Sequence, residues 1–188
     1  MSASNDVADI RVSFDIEQIS SDLLWNAINA TDRKNLCSPF GRYASAIYLC
    51  NGDGITVEVT AYGKADDLVT INVVDAVLCS IPHTNATKFS APSPFSKVRA
   101  TVPVEQWSLA GPLNTKGKRA FVVQRSITPL EVVQKDGRWK LSLIITVLIE
   151  RKTEKGTRSE IRVFSFDPEA EVGSGTEPTE CLPAPYTP

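Results

Sequence analysis

A chain of 188 residues, 42% apolar and 22% charged, is long enough to bury one substantial core and too short for two full-sized domains. Its 20 Lys and Arg against 22 Asp and Glu leave a net charge of -2, which offers no global attraction to a phosphate backbone and disfavours nucleic acid as a partner. The longest apolar run, Leu141 to Ile149, is broken by Ser142 and Thr146 and falls short of the ~20 residues that cross a bilayer. Asp6 and Asp9 occupy the place where a secretory signal carries a basic residue and an apolar stretch, so the expectation is a cytoplasmic protein with no membrane span.

Ile10, Val12, Phe14 and Ile16 alternate with Arg11, Ser13 and Asp15, the period of a half-buried strand. The spacing then changes: Ile19, Leu23, Leu24, Ala27 and Ile28, with Ser20 and Ser21 as caps, predict one short amphipathic helix. Lys34 to Gly41 reads as a loop. The apolar Tyr43-to-Cys50 segment and the turn Asn51-Gly-Asp-Gly54 then predict a hairpin into the alternating Ile55, Val57 and Val59. Val69, Ile71 and Val73 form the next strand. Pro82, Pro92, Pro94, Pro103 and Pro112 keep the following region extended. Ala120 to Val133 is again β-rich, with an edge or bulge at Pro129, and Asp136-Gly137 marks a tight turn.

Trp139, Leu141, Leu143, Ile145, Val147 and Ile149 share one parity and predict a long central strand. Ile144 and Leu148 on its other face predict cover on both sides. After the polar loop Lys152 to Gly156, Glu160 to Phe166 returns as a strand ending at Asp167-Pro168. The remaining residues, rich in Pro, Gly, Thr and Glu, read as a tail. The expected architecture is a single mainly β domain over 1–168, an antiparallel β-sandwich or jelly-roll-like fold with one short N-terminal helix, followed by a tail over 169–188.

Candidate chemistry is sparse. Cys37, Cys50, Cys79 and Cys181 show no metal-site spacing, and their apolar neighbours favour reduced thiols. His83 is the only histidine; with Cys79 four residues away it could form a thiol-imidazole pair, although its loop setting is more simply that of an ordinary histidine. Nucleotide-binding, nucleophile-elbow and zinc-protease motifs are all missing. Asp66-Asp67 and Asp136 read as turn residues, and Lys116, Lys118 and Arg119 as a solvated turn. Two carboxylates brought together in space, the arrangement glycoside hydrolysis needs, are invisible to sequence. Trp107, in the proline-bearing region, is the residue suited to stacking on a sugar or contacting a partner. No cofactor and no metal are expected.

Trp139-Lys-Leu-Ser-Leu-Ile-Ile-Thr-Val147, a polar turn, then Arg162-Val-Phe-Ser-Phe-Asp-Pro168 and Glu169-Ala-Glu-Val172 resemble the last hairpin of the PixA/AidA inclusion-body proteins. The opening strand Ile10 to Glu17, leading directly into the short helix at Ile19 to Ile28, and the proline-bearing stretch Ala91 to Val104 resemble that family as well. The resemblance implies a non-enzymatic, self-associating β-sandwich protein of the bacterial cytoplasm, with Asp167 and Pro168 as structural residues. The alternatives are a carbohydrate- or protein-binding module using Trp107 and a hydrolase using paired carboxylates.

Overall fold

The computed structural model describes residues 6–37, 46–64, 69–83, 91–96, 101–104, 107–109, 114–115, 118–126 and 128–172, of which 101–102, 107–109, 114–115, 118–124 and 171 are described by their backbone alone. Thirteen strands and no helix occur among these residues. They are β1 (Val7–Asp15), β2 (Leu24–Asn29), β3 (Ile47–Leu49), β4 (Gly54–Gly63), β5 (Val69–Pro82), β6 (Thr101–Pro103), β7 (Trp107–Leu109), β8 (Asn114–Thr115), β9 (Lys118–Ser126), β10 (Leu130–Glu131), β11 (Gly137–Thr153), β12 (Gly156–Phe166) and β13 (Glu169–Val172).

Two sheets result. One has the order β2-β1-β4-β9-β7, with β10 on β4 and β8 on β9; the other has the order β3-β13-β11-β5-β6, with β12 on β11. Alternation decides which side chains meet between them. Ile10, Val12 and Phe14 of β1 and Val57 and Val59 of β4 join Leu141, Leu143, Ile145 and Val147 of β11 in one buried cluster. Phe14 stacks on Phe164 of β12 with ring centroids 4.3 Å apart, and Trp25 of β2 stacks on Phe166 at 5.0 Å. Each of the β11 aliphatics so buried contributes roughly 1.5–3 kcal/mol.

β11 is the long central strand its parity predicts, flanked by β5 on one side and by β12 and β13 on the other. With β12 it forms a true hairpin, Thr153 opposite Gly156 and Leu143 opposite Phe166. At its start, Gly137 adopts φ +139°, and a Cβ there would lie 2.5 Å from the Trp139 ring, so the turn requires glycine twice over. The Trp139 indole N–H donates to the Ala91 carbonyl, 2.8 Å. Cys37, Cys50 and Cys79 are free thiols, and burial pushes the Cys37 thiol up from its ordinary pKa.

The structure corrects several expectations. The helix over Ile19–Ile28 is replaced by a turn and β2. Trp25 pairs with Val12, and Ala27 with Ile10, so their side chains share the buried face of β1, while Ile19 is fully exposed. Ser20 and Asp22 bond to each other, and the Gln18 amide donates to the carbonyls of Ser20 and Asp22, so the intended caps build a turn instead. The sheets are mixed rather than antiparallel: β1 runs parallel to β4, and β13 parallel to β3. The cause is the Asn51–Gly54 turn, which closes no hairpin but carries the chain from β3 in one sheet to β4 in the other. Gly52 takes φ 94° there, and the Asp53 carboxylate accepts the Cys50 N–H at 2.7 Å. Glu169–Val172, the first residues of the expected tail, form β13 with Ala170 and Val172 fully buried; residues 173–188 lie outside the described set. No helix among the described residues is long and apolar enough to cross a membrane.

Candidate functional site

The outward face of the first sheet carries charge, arranged by register. Arg11 on β1, Glu58 on β4 and Arg125 on β9 stand directly opposite one another across three strands, and Asp9 stands opposite Thr56. Directly opposed residues share a face, so the row reads plus, minus, plus, with a second carboxylate two residues away. Arg125 Nη2 donates to Asp9 Oδ2 at 2.5 Å and lies 3.0 Å from Glu58 Oε2. Arg11 reaches the same two carboxylates at 3.6 and 3.5 Å, and the Thr56 hydroxyl donates to Asp9 Oδ1. The Asp9 side chain is only 1% exposed. This is a spatial carboxylate pair of the kind sequence could not test. With an arginine bridging the two acids on each side, their oxygens are engaged in ion pairing.

Beside this row lies a groove of about 360 Å³ lined by Arg11, Ser13, Leu24, Asn26, Glu58 and Thr60. Hydroxyl, amide and guanidinium groups in one concavity can exchange hydrogen bonds with a neutral polar ligand. Nothing in the sequence singled it out. The signal available was the polar half of the β1 alternation, and it gains meaning only once β4 and β9 are known to lie alongside.

The residues singled out from sequence are dispersed. Trp107 begins β7 and its backbone pairs with Ser126; its side chain lies outside the described residues. Asp66, Asp67, Lys116 and Cys181 lie outside them too, as do the side chains of Lys118 and Arg119. Cys79 is on β5, while His83 follows that strand's end, so four extended residues separate them by roughly 13 Å. His83 Nε2 instead lies 3.5 Å from Glu169 Oε1. The geometry does not assemble a thiol-imidazole pair.

The second sheet presents the opposite character outward. Cover predicted over Ile144 and Leu148 is not found among the described residues: Ile144 is exposed and Leu148 half-buried. Leu148 pairs with Ile161, Thr146 with Val163, and Ile144 with Val77, so these side chains form a contiguous patch across β12, β11 and β5. Ile161 is 69% exposed and Val163 55%. A bulge between Thr146 and Val147 adds the exposed Val74. Exposed aliphatics scattered singly are ordinary; these share one face and neighbour one another through strand pairing.

No protein-family model matches the chain, and no curated protein matches it. Among solved structures, the crystal structure of the inclusion body protein PixA from Burkholderia cenocepacia is similar, with 10% identity and a TM-score of 0.39 over 90% of this chain and 97% of that one. The likeness is weak in both measures, and it falls on the same family that the sequence resembles.

Proposed function

We propose that this chain is a non-catalytic, self-associating β-sandwich protein whose copies meet through the outward face of the β5-β11-β12 sheet. The observation that carries this reading is the aliphatic patch of Ile144, Leu148, Ile161 and Val163 on the outward face, with Ile144, Ile161 and Val163 exposed, while Leu143, Ile145, Val147 and Ile149 are buried on the other side of β11. Apolar area of this kind gains free energy when a second apolar surface removes it from water. The sequence resemblance implies the same role, in the bacterial cytoplasm.

Light scattering on the full chain across a concentration series tests the reading. The expected result is a mass that rises from one copy toward an oligomer or particle. The combined Ile144→Ser, Ile161→Ser and Val163→Ser variant should stay monomeric at the same concentrations. A wild-type chain that remains monomeric throughout would overturn it.

A second reading is favoured by the groove beside Arg11 and Asn26. Its polar lining suits a carbohydrate, and binding on a glycan array that is lost in Asn26→Ala would establish it over the first.

A further inference from the structure

The exposed aliphatics sit on a strand that is also an open edge. Among the described residues β12 pairs only with β11, and its other side is closed at one point: the Ser165 N–H donates to the Ser21 carbonyl, and the Leu23 N–H donates to the Ser165 carbonyl. Ser165 therefore points its backbone groups away from β11. In an antiparallel pair this orientation alternates along the strand, so Val163, Ile161 and Ser159 point theirs the same way. Among the described residues nothing receives them. Three consecutive outward-facing backbone positions, bounded at one end by the loop at Ser21, form a short template for another strand.

The side chains select which strand. An antiparallel copy of β12 centred on Ile161 places Ile161 against Ile161, Ser159 against Val163 and Glu160 against Arg162 of the other copy. Opposite charges then face each other on one side, and aliphatics on the other. Centring on Glu160 sets Glu160 against itself and Arg158 against Arg162. Centring on Arg162 sets two arginines together. Like charges directly opposed are unfavourable. Centring on Val163 would require the backbone of Ser165, which is already bonded. Centring on Ser159 keeps a Glu160 to Arg158 pairing but sets Ile161 against Thr157, losing the apolar contact.

We infer that two copies of this chain join edge to edge through β12 about a two-fold axis at Ile161, extending the second sheet across both molecules. The inference rests on the self-associating reading and specifies its first contact. The joined sheet doubles the outward aliphatic face, because Ile161 and Val163 of both copies lie side by side next to both Leu148 residues. Pairing is confined to Ser159–Val163, which keeps the contact short and leaves the enlarged apolar face to recruit further copies.

Disulfide trapping separates this register from association in general. In the inferred dimer the two Cα atoms of residue 161 lie about 5.5 Å apart, within the range a disulfide spans. Mild oxidation of Ile161→Cys should therefore yield a covalent dimer on a non-reducing gel. Wild type and Asn72→Cys, placed on the same face away from the edge, should not. Ser159→Pro removes an outward N–H at an edge position that tolerates proline, and it should weaken association about tenfold with an unchanged unfolding midpoint. An oligomer that forms without the residue-161 cross-link and ignores Ser159→Pro would overturn the edge pairing while leaving self-association standing. A chain that never associates would overturn both.

Discussion

The two outward faces of this molecule invert the usual rule of polar outside and apolar inside. On the first sheet, Asp9 is carried by an outward position yet is 1% exposed, enclosed by Arg11, Arg125 and Thr56. On the second, Ile161 occupies the equivalent kind of position and is 69% exposed. The contrast teaches that alternation assigns a residue to a face, but neighbouring strands decide whether that face is closed. Arg125 comes from β9, and it closes over Asp9 because β9 pairs with β4. Among the described residues, β12 has no strand on its far side beyond the bridge at Ser165.

The largest effect is expected where charge is enclosed. Asp9→Ala removes the carboxylate shared by two guanidiniums, both of which also face Glu58. Breaking a buried ion pair by deleting one member costs several kcal/mol; because both arginines keep some solvent contact, about 3 kcal/mol is expected in chemical denaturation. Arg125→Met in the same background should recover part of that loss by lowering the excess of positive charge left beside Glu58. A midpoint indistinguishable from wild type in Asp9→Ala would show that the row contributes nothing to stability and would dissolve the contrast from the charged side.

Between the two faces lies the free end of the β11-β12 hairpin, where the inward side has run past the core. Arg151 there donates to Glu160 at 2.8 Å and to Glu17 at 3.0 Å, and also to the Ile16 carbonyl. Its hydrogen bond holds the Glu160 carboxyl below the ordinary value of 4.5. A depressed carboxyl contributes stability that is present above its unfolded value and lost as pH falls through the lower folded one. Arg151→Met should therefore cost roughly 0.5–1 kcal/mol at neutral pH, the scale of a partly exposed pair. The difference from wild type should shrink as pH falls below 4.5. A difference that stayed constant through acid would assign the loss to packing instead of to charge.

Much of the fold was legible because β11 states its own period. Trp139 to Ile149 places nearly all its large residues on one parity, and both the strand and its hairpin partner follow from that. The sheet assignment was hidden. Asn51–Gly54 and Asp136-Gly137 have the composition of hairpin turns, yet both pass the chain between sheets, and local turn chemistry is the same in either case. The helix over Ile19–Ile28 failed for a related reason: Trp25 and Ala27 gain more from pairing with Val12 and Ile10 than the segment gains from helical spacing. The charged row could not be read at all, because Asp9, Glu58 and Arg125 become neighbours only through pairing across three strands. Ile144 and Leu148 were visible, but their apolar character pointed to a cover that the described chain does not supply.

The smallest effect is the most discriminating, and it compares one substitution on the two sides of a single sheet. Val147 faces the core and is fully buried, opposite Arg162; Val163 faces outward and is largely exposed, opposite Thr146. Val→Thr keeps the shape and adds a hydroxyl. At Val147 that hydroxyl enters an apolar core and should cost about 1–3 kcal/mol. At Val163 it meets water, and at concentrations low enough to keep the chain monomeric the change should stay within about 0.5 kcal/mol. As concentration rises, Val163→Thr should begin to separate from wild type, because apolar area lost from the contact weakens association, and association stabilises by mass action. A cost at Val163 equal to that at Val147 in dilute solution would mean that the outward face is covered within the single chain, and the surface on which self-association depends would be gone.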